Sequence, residues 1–213
     1  MKEKNKYFIY PGILFTSFIL YTILICTIDI QEIGPESSSV GFATINNFFH
    51  NLFSYNDIWY YITKYLGIIP FLLVGFYGLC GLIQLIKRKS LLKVDKRLLF
   101  LGVLYVLLGI TYILFEKIII NYRPLLMDGE LEASYPSSHT MLAVTICLSS
   151  LLVAKYYIKD KTILKAINIG TILLMVLLVV GRLLSGVHWF TDIIGGIIIS
   201  LTLVSLYYSF IKD

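Results

Sequence analysis

Long apolar runs alternate with short polar connections along the whole chain. The runs cover about residues 7–27, 65–86, 98–115, 140–157, 163–184 and 192–210. A membrane-crossing helix needs about 20 mostly apolar residues, so each run is long enough to span, given some tilt. Hydrocarbon offers backbone N–H and C=O groups no partner, so every run is predicted to be helical. The first run follows Lys2, Lys4 and Lys6 in the manner of a signal sequence. It is long and no small-residue cleavage site follows it, so it reads as a retained anchor. The 28–64 connection differs from the rest. A polar stretch containing Pro35 leads into Ile45, Phe48, Phe49, Leu52 and Phe53 at helical spacing. Asn46, Asn47, His50 and Asn51 fill the opposite face, with His50 an interfacial polar residue. Such a helix either lies on the membrane surface or caps the bundle. Trp59, Tyr60 and Tyr61 suit an aromatic belt.

The charges orient these spans. Fourteen of the 18 Lys and Arg residues fall before the first run, in the second–third and fourth–fifth connections, or after the sixth. Six spans put all fourteen on one side, and the positive-inside rule makes that side the cytoplasm, with both termini there. Five or seven spans would break the pattern. The exceptions are Lys64, Lys117, Arg123 and Arg182, all at outer helix ends.

Composition agrees. The 213 residues are 58% hydrophobic and 15% charged, against about 45–50% and about 25% in soluble domains. Mean hydropathy is +0.82. Disorder is excluded, and too few polar residues remain to cover a soluble enzyme. Residues 1–213 are expected to form a single integral-membrane domain, an all-α six-helix bundle. The net charge of +5 follows from the inner-side bias and implies no nucleic-acid partner. Cys26, Cys80 and Cys147 lie in apolar runs, which argues for packing rather than a disulfide framework. No Cys/His spacing suggests zinc.

Three polar clusters interrupt the apolar chain at the predicted outer face. They are Lys117 with Tyr122-Arg123-Pro124; Pro136-Ser137-Ser138-His139; and Arg182 with His188 and Asp192. Each has a bland reading. Asp192 could cap the last helix and Ser137 the fourth, Arg182 could snorkel, and Arg123-Pro124 could be a helix stop. Together they offer two histidines, three cations and a carboxylate four residues from a histidine. Cations around a helix N-terminus make an anion site, and this inventory suits phosphoryl transfer.

With these residues the chain resembles the type-2 phosphatidic acid phosphatases, membrane enzymes related to vanadium haloperoxidases. That family's pattern is lysine, six residues, Arg-Pro; then Pro-Ser-Gly-His; then Ser-Arg, five residues, His, three residues, Asp. Arg123-Pro124, Pro136, Ser137, His139, Arg182, His188 and Asp192 match, and the motif region runs from residue 117 to 192. Ser138 stands for the glycine and Gly181 for the serine before Arg182. Lys117 is one position late, with Glu116 in the lysine's usual place.

The resemblance implies an extracytoplasmic active site. There His188 would attack phosphorus, Asp192 would orient it, and His139 would protonate the leaving oxygen. Lys117, Arg123, Ser137, Ser138 and Arg182 would bind the phosphate, with Glu116 turned away to water or to Lys117. No metal or other cofactor is implied, and Asp128, Glu130 and Glu132 read as a solvated loop. The implied substrate is an outer-leaflet lipid: a polyprenyl diphosphate such as undecaprenyl diphosphate first, then phosphatidic acid or phosphatidylglycerol phosphate. A non-catalytic phospholipid-binding relative and a small transporter are the alternatives. The transporter would want polar residues at the bilayer midplane, where these spans are clean. The charge split carries one direct test. In intact cells, single cysteines should react with an impermeant reagent at position 130 and not at position 91; labelling at 91 alone would overturn the topology.

Overall fold

The computed structural model describes residues 2–212; the side chains of residues 2–6, Lys2, Lys4 and Lys6 among them, lie outside the described set. Within it, eight helices account for the architecture: α1 Lys2–Ile25, α2 Ala43–Leu52, α3 Asp57–Leu66, α4 Ile68–Arg88, α5 Lys96–Lys117, α6 Ser138–Tyr157, α7 Lys161–Leu184 and α8 Phe190–Ile211. Six stretches are long and apolar enough to cross a membrane, and they coincide with the six predicted runs. No extended strand forms among the described residues. The three cysteines are unpaired.

Helices α6 and α8 form the centre. Of their most apolar windows 61% and 56% is buried, against 11–22% for the other spans. The reason is side-chain size. Lipid supplies no hydrophobic drive between helices, so close approach depends on small residues. A Cβ on Gly195 would stand 2.3 Å from the Tyr135 ring, and one on Gly196 would stand 3.0 Å from the Ser137 carbonyl oxygen. The Ser200 hydroxyl contacts the carbonyls of Met141 (3.1 Å) and Gly196 (2.7 Å). Helices α4 and α5 lie outside and expose rows of large apolar side chains, Phe71, Leu72, Phe76, Val103 and Val106 among them.

The 28–64 connection forms two helices. Helix α2 packs on the start of α8 through Asn46 and Phe49, as the capping reading has it. Asn46 is fully buried; its amide donates to Gly41 O (2.8 Å) and Thr191 Oγ1 (2.9 Å), and its oxygen accepts from Thr191 N (3.1 Å). Phe49 stacks on Phe190 at 4.1 Å. The outward face carries exposed Ile45, Phe48 and Leu52. Asn47 and Asn51 share that outward face and are joined there by a hydrogen bond of 3.3 Å. Asn56 caps α3 by accepting from Trp59 N (3.1 Å), and Gly67 joins α3 to α4.

Asn46→Ala should cost about 1–3 kcal/mol, because the Thr191 N–H would be left buried without a partner. The check is a lowered melting temperature of the detergent-purified protein.

Candidate active site

The site begins with a hairpin-like loop between α5 and α6. Asp128 and Gly129 both have positive φ (52° and 85°), and Met127 and Glu130 exchange backbone hydrogen bonds of 3.0 Å across them. This two-residue reversal is what an Asp-Gly pair favours. Further down, Arg123 N donates to Glu132 O (3.0 Å) and Ser134 N to Asn121 O (2.9 Å). Asn121 and Ser134 therefore sit side by side at the base of the loop.

That base docks on the start of α8. Asp192 has no solvent exposure, and three segments bring it donors. Asn121 Nδ2 reaches Oδ1 at 3.3 Å, while Ser134 Oγ and Trp189 N reach Oδ2 at 2.5 and 2.9 Å. Trp189 Nε1 donates to Tyr122 O at 2.7 Å. The capping role weighed for Asp192 is real, and it coexists with the histidine contact.

His188 lies beside this carboxylate without bonding it directly. Its Nδ1 is 3.9 Å from Asp192 Oδ2 and 3.0 Å from Ser134 Oγ. The single Ser134 proton goes to the carboxylate, so Nδ1–H donates to the serine oxygen. Nε2 then carries the lone pair, and it is buried without a partner. Burial, followed by the Arg123 and Arg182 charges, holds the imidazole well below the usual histidine range, so it is neutral at pH 7.

The other expected residues gather nearby. Ser137 is the N-cap of α6, its hydroxyl accepting from Thr140 N at 3.5 Å, and its own N–H donates to Asp192 O at 3.0 Å. Ser138 opens α6 and lines a small cavity of about 10 Å3 together with His188. His139 lines two others, of about 90 and 490 Å3. Arg182 is 2% exposed, with Nε and Nη1 unpartnered. Arg123 Nε is 3.0 Å from Glu132 Oε2. Glu132 is thus an ion-pair partner while remaining exposed in the loop, as Asp128 and Glu130 are. His50 is half-buried with its ring 5.4 Å from that of Trp189. Among the described residues, no cluster of His, Cys, Asp or Glu is placed to hold a metal ion.

Lys117 and Glu116 depart from expectation. Lys117 is exposed in the last turn of α5, and none of these three cavities touches it. Glu116 lines the small cavity with His188. The physical reason is that α5 stays helical through Lys117. The lysine keeps its helical direction, and residues one apart on a helix point about 100° apart. Instead Lys64, from α3, lines the 90 Å3 cavity with His139 and Arg182.

Gly181 also finds its reason in α3. A Cβ there would stand 2.5 Å from Thr63 Cγ2 and 3.2 Å from the Trp59 ring. The glycine lets α3 lie against α7. Gly186, with φ of 67°, does the same in the next turn, where a Cβ would be 2.8 Å from both Phe53 O and Tyr55 N. Gly181→Ser should therefore destabilise by about 1–3 kcal/mol through overpacking. Adding Thr63→Ser, which removes Cγ2 and keeps the hydroxyl, should recover much of the lost melting temperature.

The crystal structure of the first transmembrane PAP2-type phosphatidylglycerolphosphate phosphatase from Bacillus subtilis superposes with a TM-score of 0.61. The two are 20% identical, over 94% of this chain and 95% of that one, a likeness of fold. No curated protein matches the sequence. The apolar helices and this fold make the chain a multi-pass membrane protein. Residues 48–213 match the PAP2 superfamily, a stretch that contains every residue of the expected site, and to that superfamily the chain belongs.

Proposed function

We propose that the protein hydrolyses a phosphate monoester or diphosphate of an outer-leaflet lipid through a phosphohistidine. One observation carries this reading: a neutral, buried histidine whose Nδ1 is held by Ser134 and Asp192 while Nε2 is left unpartnered. Two arginines and a second histidine share its surroundings. Similarity to a phosphatidylglycerolphosphate phosphatase supports the same class of substrate.

The steps follow from that arrangement. The Nε2 lone pair of His188 attacks phosphorus, an N–P bond forms, and the P–O bond to the leaving group breaks. Once the phosphate dianion lies among the arginine cations, His139 takes up a proton from solvent and gives it to the departing oxygen, a role worth about 10²–10⁴ in rate. Water then attacks the phosphohistidine, His139 takes the water's proton, and the N–P electron pair returns to Nε2 as phosphate leaves. Arg123, Arg182, the Ser137 hydroxyl and the Ser138 amide hold the phosphate oxygens. Preorganised donors of this kind usually supply the largest share of transition-state stabilisation. Lys117, exposed at the end of α5, stays outside that set. Asp192 acts on His188 through the Ser134 hydroxyl, which selects the tautomer and stabilises the positive charge that develops on the ring. The cations take the place of a metal ion.

The tail has a place as well. The 490 Å3 groove between α4, α5 and α6 has Ser138 and His139 at one end and Phe71, Leu108 and Ile146 along its walls. A second groove of about 320 Å3 shares Val74 and Tyr105 with it and continues between α4 and α5. An acyl or prenyl chain fits this path while the headgroup reaches the histidines. The site then faces the extracytoplasmic leaflet, opposite the basic connections.

His188→Ala should abolish phosphate release from lipid phosphates in detergent micelles, and His139→Ala should lower it at least about 100-fold. Ser134→Ala should lower kcat with little change in KM. Activity should persist in EDTA and be inhibited by vanadate. Normal turnover by His188→Ala, or loss of activity on chelation, contradicts the scheme.

A further inference from the structure

The 90 Å3 cavity lies between α3, α4, α6 and α7. Lys64, Thr63, His139 and Arg182 supply its polar lining and Pro70 and Leu178 part of its apolar wall. We infer that it is a second phosphate subsite, which takes a phosphate carried by the leaving group. The inference rests on the hydrolase reading above and narrows its substrate class.

Three observations converge on an anion. First, Arg182 is buried with two guanidinium nitrogens unpartnered, so it can hold the transferred phosphate and still offer an N–H to a second anion in this cavity. No Asp or Glu lines the cavity to neutralise it. A buried charge left so is costly unless a counter-charge arrives. Second, Lys64 stands on the same side. The Tyr60 ring lies under both cations, 5.6 Å from the Lys64 ammonium and 5.5 Å from the Arg182 guanidinium. Third, α3 reaches this position because residue 181 is glycine, where any Cβ would meet Thr63. The volume is ample: a single water needs about 10–15 Å3 by such a measure, so a tetrahedral phosphate fits.

The in-line geometry says which phosphate. The leaving atom departs opposite His188 and takes its proton from His139. The cavity is lined by His139 and not by His188, so it is on the leaving side. Phosphatidic acid releases diacylglycerol, which brings no anion there. A polyprenyl diphosphate releases a polyprenyl phosphate, and phosphatidylglycerol phosphate releases a lipid that keeps its phosphodiester. These two share the chemistry that Lys64 and Arg182 would recognise. Lys64 thus supplies the cation of the leaving side, a role distinct from the one the family's spacing gives Lys117.

The test compares kcat/KM for phosphatidic acid, a polyprenyl diphosphate and phosphatidylglycerol phosphate in wild type, Lys64→Ala and Lys64→Arg. Lys64→Ala should lower the ratio of the two-phosphate substrates to phosphatidic acid by at least about tenfold, mainly through KM, and Lys64→Arg should largely preserve it. The better two-phosphate substrate of the wild type identifies the source of the second phosphate. An unchanged ratio in Lys64→Ala, whether all three rates fall together or none does, overturns the subsite. A binding measurement is independent of turnover: the wild type should bind inorganic pyrophosphate more tightly than phosphate, and Lys64→Ala should lose that preference. If no lipid is hydrolysed, the hydrolase reading fails. If pyrophosphate is not preferred, the subsite fails.

Discussion

A carboxylate buried in a membrane bundle has only its own chain to solvate it, and the arrangement around Asp192 answers to that constraint. Its side chain is satisfied by Asn121, Ser134 and Trp189 N, and its carbonyl oxygen by Ser137 N. Those donors come from the α5–α6 loop, the start of α6 and the turn before α8. Satisfying one charge therefore fixes the loop, the two central helices and the His188 ring together. Leaving the carboxylate short of donors would cost several kcal/mol, so the loop base cannot drift without the site drifting with it.

Much of this was legible in the chain. The six spans follow from run lengths and from a charge bias that only an even count accommodates. Arg123, Ser137, His139, Arg182, His188 and Asp192 stand out because polar residues are rare in an apolar chain. Ser134 and Asn121 were not legible. A serine and an asparagine in a polar loop carry no periodic signal, and their importance comes from the register of a hairpin. The Asp128-Gly129 pair marks the turn, yet Pro124 and irregular pairing hide which residues face each other.

The position of Lys117 has a different origin. Helix α5 holds its geometry to its last residue, so the one-residue offset from the family's spacing is kept in space. Glu116 consequently faces the small cavity. The cation that does line the neighbouring cavity comes from α3, more than fifty positions earlier in the chain, and nothing in local spacing announces it. Gly181 was legible as a departure and became intelligible only with α3 lying across it. Two irregularities that look independent in sequence, a misplaced lysine and a lost serine, are connected through one short helix.

The glycines along the α4–α5 cleft bear on how such a protein can change over evolutionary time. A Cβ at Gly75, Gly78, Gly81, Gly102 or Gly109 would meet nothing within 4 Å. The two outer helices are thus loosely fitted to each other, whereas α8 lies so close to α6 that a Cβ on Gly196 would stand 3.1 Å from Thr140. Mutations along the outer cleft can reshape it without disturbing the hydrogen bonds around Asp192. The donors to Asp192 and the walls of the α4–α5 cleft come from different parts of the bundle, so the cleft can diverge among descendants while those hydrogen bonds are inherited unchanged.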